Sequence, residues 1–558
     1  MHLSDPNARS RPGPGGVGKG TRTAGRVPAR TQRPLGLRQH RRDLRPGPGL
    51  RRGVRVIGTL VGAAAGGAGF WGGAWGVLIL ISFVPLYHAA ATRTPRAAFL
   101  LGWTFGAVYW GVGAYWTYAP AALLMKISTP AAVLASAPLV LFWGLPWGLA
   151  AGTAAWTGLP WLIVPAGVAA EAFWPQIYPS YLAVALSDHL PAIQSLSLLG
   201  MGGVSWLVHG LNAGIFYAVS YRRFRPLLIA LVFLGANEVF GIWSVRRIAV
   251  EDAQSRMRLR VAVLQGSVPD AERWIPERYG QNLAVYRQLA DSVLAEFPEL
   301  ILFPQNTYER VWTYGKERSP WETDFPAAMR VEFPFRVPII LGTRTKEIVG
   351  YRGTTAIVRR HHAAVLVRVD GGYGGHSEKL NPTPFSEWMP GANWFPVLKD
   401  IVPAMDPIHR GHGRLLTLPN GTRLGALICY DAVKPWLTRR LAASEPAPDA
   451  FVLQTSDSWA DNNQMPEQNL RIAVLRAVET RTPVFRAATS GISVGIDRSG
   501  KIRKRLSFGE RGAFVVELAP ASGRSLYAKT GNAAYFLAAA LFLLCLAGTA
   551  VARTQETA

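Results

Sequence analysis

The sequence predicts a bundle of membrane-spanning helices joined to an α/β domain that lies outside the membrane. Long apolar segments rich in Gly, Ala and Trp fill residues 55–245, and another lies near the C-terminus. Such segments are typical of helices that cross a lipid bilayer. The region between them carries short β-rich runs that alternate with amphipathic helices, which indicates a sheet covered by helices. With 558 residues, 49% of them hydrophobic, the chain is long enough for both parts.

The N-terminal residues 1–54 are predicted to form a disordered basic tail. Residues 1–55 contain 14 Lys and Arg against two acids, Asp5 and Asp43, so this segment supplies about half of the net charge of +25. It is rich in Gly, Pro and Arg and has too little apolar surface to offset the entropy lost on folding. Because the charge is concentrated in a tail, it does not indicate nucleic-acid binding, and no nucleic acid is expected as a partner.

Seven spans are predicted in the bundle, residues 55–245, and an eighth in residues 531–553. Their expected positions are 55–72, 74–91, 97–118, 130–151, 155–173, 194–219, 226–244 and 532–552. Cytoplasmic connections carry an excess of Lys and Arg. The breaks at Arg93 and Arg96 and at "YRRFR" (221–225) are therefore predicted to be cytoplasmic, which places residues 246–530 outside. Arg246 and Arg247 follow the seventh span on that outer side, although basic residues are expected on the cytoplasmic side.

The region from 246 to 530 is predicted to fold as an α/β domain. Several of its β-rich runs are uniformly apolar and are expected to be buried on both faces. The runs are "RLRVAVLQG", "ELILF", "VPIILGT", "TTAIV", "AAVLVRVD", "LGALICY", "AFVLQT", "VFRAAT", "GISVGID" and "AFVVEL". A helix is predicted between the first two runs, with one apolar face made of Leu283, Tyr286, Leu289, Val293 and Phe297.

Polar and reactive side chains follow three of these strands. Cys429 ends "GALIC", Gln305 follows "LILFP", and Ser456 and Asp457 follow "FVLQT". Reactive groups of α/β sheets gather beyond the carboxyl ends of the strands, so these residues are candidates for one site. A free cysteine is most often a small buried hydrophobe, and a nucleophile is the alternative for Cys429.

Other polar residues have simpler interpretations. Ser456 and Asp457 are expected, at least in part, to cap the helix that follows them. His361 and His362 are interpreted as a solvated turn, and their spacing does not indicate a metal site. Glu171 is interpreted as a polar residue at the edge of the membrane. Cys545 lies in a C-terminal apolar run, so no disulfide with Cys429 is expected.

Four motifs surround these positions: "EKLNPTPFSEWMP", "ICYD", "SDSWAD" and "LRAVETRTPVFRAATSGIS". With the "LQG" of the first β-rich run they resemble the carbon-nitrogen hydrolase (nitrilase) superfamily, which implies that residues 246–530 are a catalytic domain. Together with the membrane bundle they resemble bacterial apolipoprotein N-acyltransferases. The resemblance implies a nitrilase-like α-β-β-α sandwich, with Cys429 as nucleophile and Lys379 as the residue that stabilises the oxyanion. It also implies supporting roles for Glu387, Tyr430 and Asp431, the last standing where the family usually has Glu.

One position departs from the family pattern. The resemblance implies a Pro-Glu pair that supplies a general base, whereas this chain has Pro304 and Gln305. An amide does not accept a thiol proton, and the loss of general-base assistance lowers a rate by about 10² to 10⁴. Three substitutes are open: Glu309 is the base; Asp431 or Glu387 accepts the proton; or Lys379 lowers the thiol pKa enough for a thiolate to exist.

The resemblance implies a function in lipoprotein maturation without a cofactor. A phospholipid would donate an acyl chain to Cys429, and the amino group of a lipoprotein's diacylglyceryl-cysteine would accept it. The expected location is the inner membrane, crossed several times, with the catalytic domain on the outer, periplasmic side and in contact with membrane lipids. Two alternatives are a catalytically impaired relative that binds lipid or lipoprotein, because of Gln305, and a membrane-anchored amidohydrolase.

Overall fold

The computed structural model describes residues 52–557, apart from 179–180, 270–271, 273–274, 316–332 and 404. The predicted basic tail therefore lies outside the described residues up to position 51. A helix begins at Arg52, so the last three residues of the predicted tail, 52–54, are helical.

The N-terminal half and the C-terminus are helical. The first nine helices in chain order are α1 Arg52–Ala68, α2 Val84–Thr92, α3 Pro95–Gly113, α4 Tyr118–Met125, α5 Thr129–Thr157, α6 Ile163–Phe173, α7 Leu182–Ala185, α8 Leu190–Ile193 and α9 Leu196–Tyr221. They are followed by α10 Arg225–Gln254, and the chain ends in α14 Leu526–Thr530 and α15 Ala533–Thr557. The 3-10 segment Gly73–Leu80 precedes α2.

Within the described residues, four helical segments are long and apolar enough to cross a membrane: Gly73–Thr92, α5, α10 and Ala533–Gln555. A fifth candidate is the pair α3 and α4, which is bent by 73°. Each of the eight predicted spans falls on helix, but by length and composition Val56–Trp71 and Pro160–Phe173 are only shorter apolar helices. The count of eight spans therefore stays a prediction.

The helices of the bundle are joined by a buried carboxylate that was expected at the membrane edge. Glu171 on α6 accepts hydrogen bonds from Leu182 N at 3.2 Å, Ser205 Oγ at 2.6 Å and Tyr535 Oη at 3.2 Å. Its side chain is buried among these donors, and its position at the edge of the membrane stays a prediction. An acidic side chain away from water must find donors, and here donors from three parts of the bundle surround it.

The domain between the bundle and α14 is built from two sheets. Its strands are β1 Leu259–Gln265, β2 Leu300–Leu302, β3 Tyr308–Gly315, β4 Ile339–Arg352, β5 Thr355–Val367, β6 Tyr373–Glu378, β7 Leu415–Thr417, β8 Arg423–Ile428, β9 Ala450–Thr455, β10 Val484–Ala488, β11 Val494–Ile496, β12 Ile502–Arg505 and β13 Gly512–Leu518. One sheet has the order β13-β1-β2-β4-β5-β6, with β3 also paired to β4, and the other has the order β12-β11-β10-β9-β8-β7. Strands β1, β2 and β4 are parallel, as are β8, β9 and β10.

The two sheets pack face to face and carry helices on their outer faces. Alternate residues of β1 and β8, such as Val263 and Ala426, meet in the core between the sheets. The outer face of the first sheet is covered by α11 Tyr279–Val293, through Tyr286 and Val293. The outer face of the second is covered by α12 Pro435–Ala442 and α13 Gln464–Thr480. This α-β-β-α arrangement confirms the predicted fold class. Phe297 is an exception to the predicted apolar face, because it lies beyond the end of α11 and is 76% exposed.

The predicted turn at His361 and His362 is wrong. The runs "TTAIV" and "AAVLVRVD" belong to one strand, β5, which continues through both histidines. Both side chains are buried. The long hairpin of β4 and β5 pairs these histidines with Thr345 and Arg344, and this pairing is not visible in the local hydropathy pattern.

Two arginines, Arg481 and Arg498, join the domain to the bundle. Helix α10 continues to Gln254, nine residues past the predicted boundary at 245, and its last turn carries Asp252. Arg498 donates through Nε to Asp252 Oδ1 at 2.8 Å, and both side chains are almost fully buried. Arg481 donates to Gln194 Oε1 at 2.6 Å and to Ser244 Oγ at 2.8 Å.

We expect Arg498→Gln to lower the free energy of unfolding by about 3 kcal/mol, because it leaves Asp252 buried without its counter-charge. The measurement is thermal or denaturant unfolding of the purified protein in detergent. The matched control is Arg524→Gln, whose partner Glu445 is 83% exposed, and whose loss should cost about 1 kcal/mol or less. Equal effects of the two variants would contradict the expectation.

Candidate active site

Cys429 lies at the carboxyl end of β8, where the strand turns directly into a 3-10 helix, Cys429–Val433. Its φ is +50°, in the left-handed region that non-glycine residues rarely adopt. Strained conformations of this kind cluster at active sites, where the surrounding structure holds them in place. Neither Cys429 nor Cys545 forms a disulfide, so the thiol is free for chemistry.

Asp431 fixes the turn that carries Cys429. Its carboxylate accepts hydrogen bonds from the backbone N–H groups of Ile428 at 3.1 Å, Leu380 at 3.2 Å and Asn381 at 2.8 Å. These bonds join the strand of the cysteine to the segment that follows Lys379. Burial raises the pKa of Asp431 to about 7, although Lys379 and the three N–H donors act in the opposite direction.

Lys379 follows β6 and is completely buried. Its Nζ donates to Glu387 Oε1 at 2.7 Å and to Thr383 Oγ1 at 3.1 Å. Burial alone would lower the pKa of Lys379, but the negative groups around it, Glu387 first, raise it overall. Burial would likewise raise the pKa of Glu387, and the Lys379 charge holds it below its usual value. The lysine is therefore a fixed positive charge.

Gln305 lies in the loop after β2, and it contacts a histidine. Its Nε2 is 2.6 Å from His362 Nδ1, and Nδ2 of Asn306 is 3.2 Å from the same atom. His362 Nδ1 is also 3.9 Å from Glu387 Oε1, which brings Gln305 into the group around Lys379. A Cβ at Gly342 on β4 would lie 2.7 Å from Gln305 Cα, so a glycine there permits this close approach.

The other two predicted site residues, Glu309 and Tyr430, form hydrogen bonds with neighbouring helices and loops. Glu309 on β3 accepts a hydrogen bond from Asn282 Nδ2 at 2.8 Å, on helix α11 outside the first sheet. Tyr430 donates its hydroxyl to the carbonyl of Ile177, in the loop between α6 and α7 of the bundle. Tyr430 thus holds the turn of Cys429 against the bundle.

A narrow cavity opens beside Cys429, with room for roughly one water molecule. Tyr178 from the bundle and Tyr430, Leu453 and Thr455 from the domain are among its lining residues. Burial raises the pKa of the Cys429 thiol, and the positive charge of Lys379 offsets only part of this effect. Burial thus favours the neutral thiol over the thiolate.

Asp457 and Ser456 do not cap the next helix, as was expected, because α13 begins only at Gln464. Asp457 is fully buried and pairs with the equally buried Arg486, 2.6 Å from Nη2 to Oδ2. It also accepts from Thr455 Oγ1 at 3.3 Å. A nearby bond from Gln454 Nε2 to the carbonyl of Phe303, 2.6 Å long, joins the carboxyl ends of the two sheets. The strand tips thus meet as predicted.

Comparisons with known proteins agree with this architecture. The family model of the apolipoprotein N-acyltransferase N-terminal domain matches residues 62–214, and the carbon-nitrogen hydrolase model matches residues 260–528. The apolipoprotein N-acyltransferase of Geobacter metallireducens is 26% identical over 497 residues, which are 85% of this chain and 90% of the relative. This chain belongs to the apolipoprotein N-acyltransferase family. The resemblance stated from the sequence is thereby confirmed.

Further similarities extend over the same regions. The apolipoprotein N-acyltransferase of Gloeobacter violaceus is 26% identical over 518 residues, covering 88% of this chain and 92% of the relative. Among solved structures, Nit3 of Saccharomyces cerevisiae, from the nitrilase superfamily, is 17% identical with a TM-score of 0.34, covering 47% of this chain and 90% of Nit3. Apolipoprotein N-acyltransferases are membrane proteins, as the apolar helices of this chain also indicate.

Sequence reasoning missed two residues of the site. His362 was overlooked because a pair of histidines between two short apolar runs looks like a turn. The absence of the expected carboxylate at position 305 was a signal to look for another basic side chain, such as an imidazole. Tyr178 follows an apolar segment together with Trp174, a pattern that predicts an interfacial aromatic belt and not a site residue. Its position in the cavity wall depends on how the bundle meets the domain, which no local pattern shows.

Proposed function

We propose that the chain transfers an acyl chain from a phospholipid, through a thioester on Cys429, to the amino group of a diacylglyceryl-cysteine at the N-terminus of a lipoprotein. The observation that carries this proposal is the arrangement of Cys429 on a left-handed turn, held by Asp431 beside the buried pair of Lys379 and Glu387. Membership of this chain in the apolipoprotein N-acyltransferase family supports the choice of these two substrates.

The reaction has two halves with balanced chemistry. In the first, the Cys429 sulfur loses its proton and attacks the ester carbonyl carbon of the phospholipid, the carbon–oxygen bond breaks, and the lysophospholipid leaves with a proton on its oxygen. In the second, the amine attacks the thioester, the carbon–sulfur bond breaks, and the proton lost by the amine returns to the sulfur. Such covalent catalysis divides one difficult transfer into two easier steps.

In this proposal Lys379 stabilises the oxyanion in both halves. Two of the three N–H groups of its ammonium are used by Glu387 and Thr383. The third can donate to the negative oxygen that develops on the carbonyl. A preorganised donor in a water-poor site contributes to the transition state without reorganising.

Exposed apolar side chains near the site support a lipid substrate. Glu387 is followed by a segment in which Trp394 is 83%, Phe395 63% and Val397 66% exposed. Neighbouring residues of this segment pack with Leu124 and Met125 at the end of α4 in the bundle. Exposed apolar patches of this kind mark contact with other molecules or with membranes.

The proposed location is the inner membrane, with the domain on the periplasmic side. The support is the distribution of basic residues, with Arg222, Arg223 and Arg225 at one end of α10 and the domain at the other. From Arg225 to Trp243, α10 rises about 27 Å, close to the thickness of the hydrocarbon core. Both substrates have acyl chains that stay in lipid, so a site at the membrane surface suits them.

The deciding experiment is a mass spectrum of Cys429 after incubation with phospholipid, followed by addition of a diacylglyceryl-cysteine peptide. An acyl group that appears on Cys429 and moves to the peptide supports the proposal. Absence of any thioester, under conditions where another family member is acylated, would favour the non-catalytic lipid-binding alternative that Gln305 suggests. Transfer to water alone would favour an amidohydrolase-like activity.

We expect the double substitution Trp394→Ser, Phe395→Ser to raise KM for phospholipid in vesicles with little change in kcat, because it removes apolar contact area that lies outside the catalytic group. The measurement is acylation of Cys429 against lipid concentration. Tyr351→Ser is the control, since this side chain is 48% exposed at the far end of strand β4, outside the segment that carries Trp394 and Phe395. An equal effect of both variants would contradict a specific role for the loop.

A further inference from the structure

The outward face of helix α10 is an exposed apolar stripe. The opposite face packs against the rest of the protein, and its buried residues are Asn237, Gly241, Ser244, Ile248 and Asp252. On the outward face, apolar side chains recur at intervals of three, four or seven positions and are 38–69% exposed. They belong to Leu228, Val232, Val239, Ile242 and Trp243. A stripe of this kind fits contact with the acyl chains of lipids.

Two arginines follow this stripe on the side of the domain. Arg246 and Arg247 lie three and four residues after Trp243, so both are within one turn of the indole. The guanidinium carbon of Arg247 is 5.2 Å from the centroid of the Trp243 ring. A shallow groove on this part of the helix is lined by Val239, Ile242, Trp243, Arg246, Arg247 and Val250. The groove thus joins an apolar surface to two cations.

The positive charge of the groove is not cancelled by its surroundings. Arg246 is exposed and forms no ion pair with any residue that the structure describes. Arg247 donates through Nε to Glu251 Oε1 at 2.7 Å. The other oxygen of Glu251 lies 3.4 Å from Nη2 of Arg498, so two arginines share this carboxylate. The arginines therefore suit an anion, and no separate carboxylate of the groove is left to bind an ammonium group.

The arginines lie at the depth of the lipid headgroups. From Arg225 to Trp243, α10 rises by about the thickness of the hydrocarbon core, and Arg246 and Arg247 lie roughly 5 Å further along the axis. In the proposed orientation this is the outer side of the membrane, where an excess of basic residues is not expected. Guanidinium groups bind phosphate oxygens through paired N–H donors, which supplies a local reason for two arginines at this level.

We propose that this groove binds an anionic phospholipid of the outer leaflet, with its phosphate against Arg246 and Arg247 and an acyl chain along the stripe below Trp243. The lipid is held and not consumed, so the inference goes beyond the proposed acyl transfer and rests only on the proposed orientation in the membrane. Helix α10 continues from the groove to Asp252, which pairs with the buried Arg498 of the domain. The bound lipid thereby fixes the height of the domain above the bilayer.

The test is photolabelling of the full-length chain in phosphatidylcholine nanodiscs, in a Cys429→Ala background that forms no thioester. The probes are phosphatidylglycerol and phosphatidylcholine, each with a photoreactive acyl chain, and the readout is label on the α10 peptide that contains Val239 and Trp243. We expect about 10-fold more label from phosphatidylglycerol, because each basic residue at a lipid surface contributes about a factor of five and Glu251 offsets part of this. Arg246→Gln, Arg247→Gln should bring the ratio of the two labels close to one.

Two further variants separate a binding role from a structural one. Arg246→Lys, Arg247→Lys keeps both charges and should keep most of the preference. Arg359→Gln, Arg360→Gln removes the same charge from an exposed part of β5 and should leave the ratio unchanged. Equal labelling by both lipids in the Cys429→Ala protein, an unchanged ratio in the α10 glutamine variant, or an equal fall in the β5 variant would each overturn the inference.

Failure of this inference is distinguishable from failure of the proposed function. The labelling ratio does not depend on a thioester, so a protein that transfers no acyl chain still reports whether the groove selects an anionic lipid. Conversely, equal labelling by the two probes together with normal acyl transfer in the unmodified protein overturns the lipid site and leaves the acyltransferase proposal standing.

Discussion

Cys429→Ala is expected to abolish both halves of the reaction while leaving the fold intact. Alanine keeps the Cβ that the left-handed turn already accommodates, and the bonds of Asp431 to Ile428, Leu380 and Asn381 do not involve the sulfur. Without the nucleophile no thioester forms. The rate of acyl transfer should therefore fall by at least about 10⁴, as for other covalent catalysts that lose the attacking atom.

The measurement is transfer of a labelled acyl chain, together with a mass spectrum of the peptide that contains residue 429. Cys545→Ala serves as the control, because that thiol lies on α15 and should leave transfer unchanged. Residual acyl transfer by Cys429→Ala at a rate close to that of the unmodified protein would exclude the thioester route.

Lys379→Met is expected to reduce activity and stability together. Removal of one preorganised oxyanion donor costs about 10² to 10³ in kcat. The substitution also leaves Glu387 buried without its partner, which should lower the free energy of unfolding by about 3–5 kcal/mol. The pair lies entirely inside the protein, with side-chain exposures of 0% and 8%, so solvent does not screen this effect.

The double variant Lys379→Met, Glu387→Gln separates the two losses. With the second charge removed, stability should recover most of what the single variant lost, whereas acyl transfer should stay low because the oxyanion still lacks its donor. Unfolding curves and transfer rates of the three proteins provide the check. If the double variant regained activity as well, Lys379 would serve the fold and not the transition state.

Much of the architecture could be predicted from local pattern. The uniformly apolar runs of β8 and β9 indicated strands buried on both faces; β9 is buried throughout, and β8 is buried in all but its first residue, Arg423. Strands β3, β6, β7 and β12 were missed, since they are short or polar and are held by their neighbours in the sheet. Local hydropathy does not record that kind of stabilisation.

Site residues that lie in a recognisable motif could be predicted from the sequence, and contacts that depend on tertiary packing could not. Cys429, Lys379 and Glu387 lie in recognisable motifs, and the structure brings the lysine and glutamate within 2.7 Å. The contact between Gln305 and His362 joins positions 57 residues apart, across strands whose pairing sets it. The buried pair of Asp457 and Arg486 likewise links two strands, so its role could not be inferred from either segment alone.

Tyr178 shows that the helical half of the chain contributes to the cavity beside Cys429. A loop from the helical half forms one wall of the chamber around the sulfur, and the hydroxyl of Tyr430 fastens that wall to the turn of the nucleophile. The reaction chamber is therefore a joint product of both halves of the chain. A sandwich domain separated from the helices would keep its nucleophile and lose the wall that Tyr178 contributes, so cutting the chain between the two halves would leave that side of the sulfur uncovered.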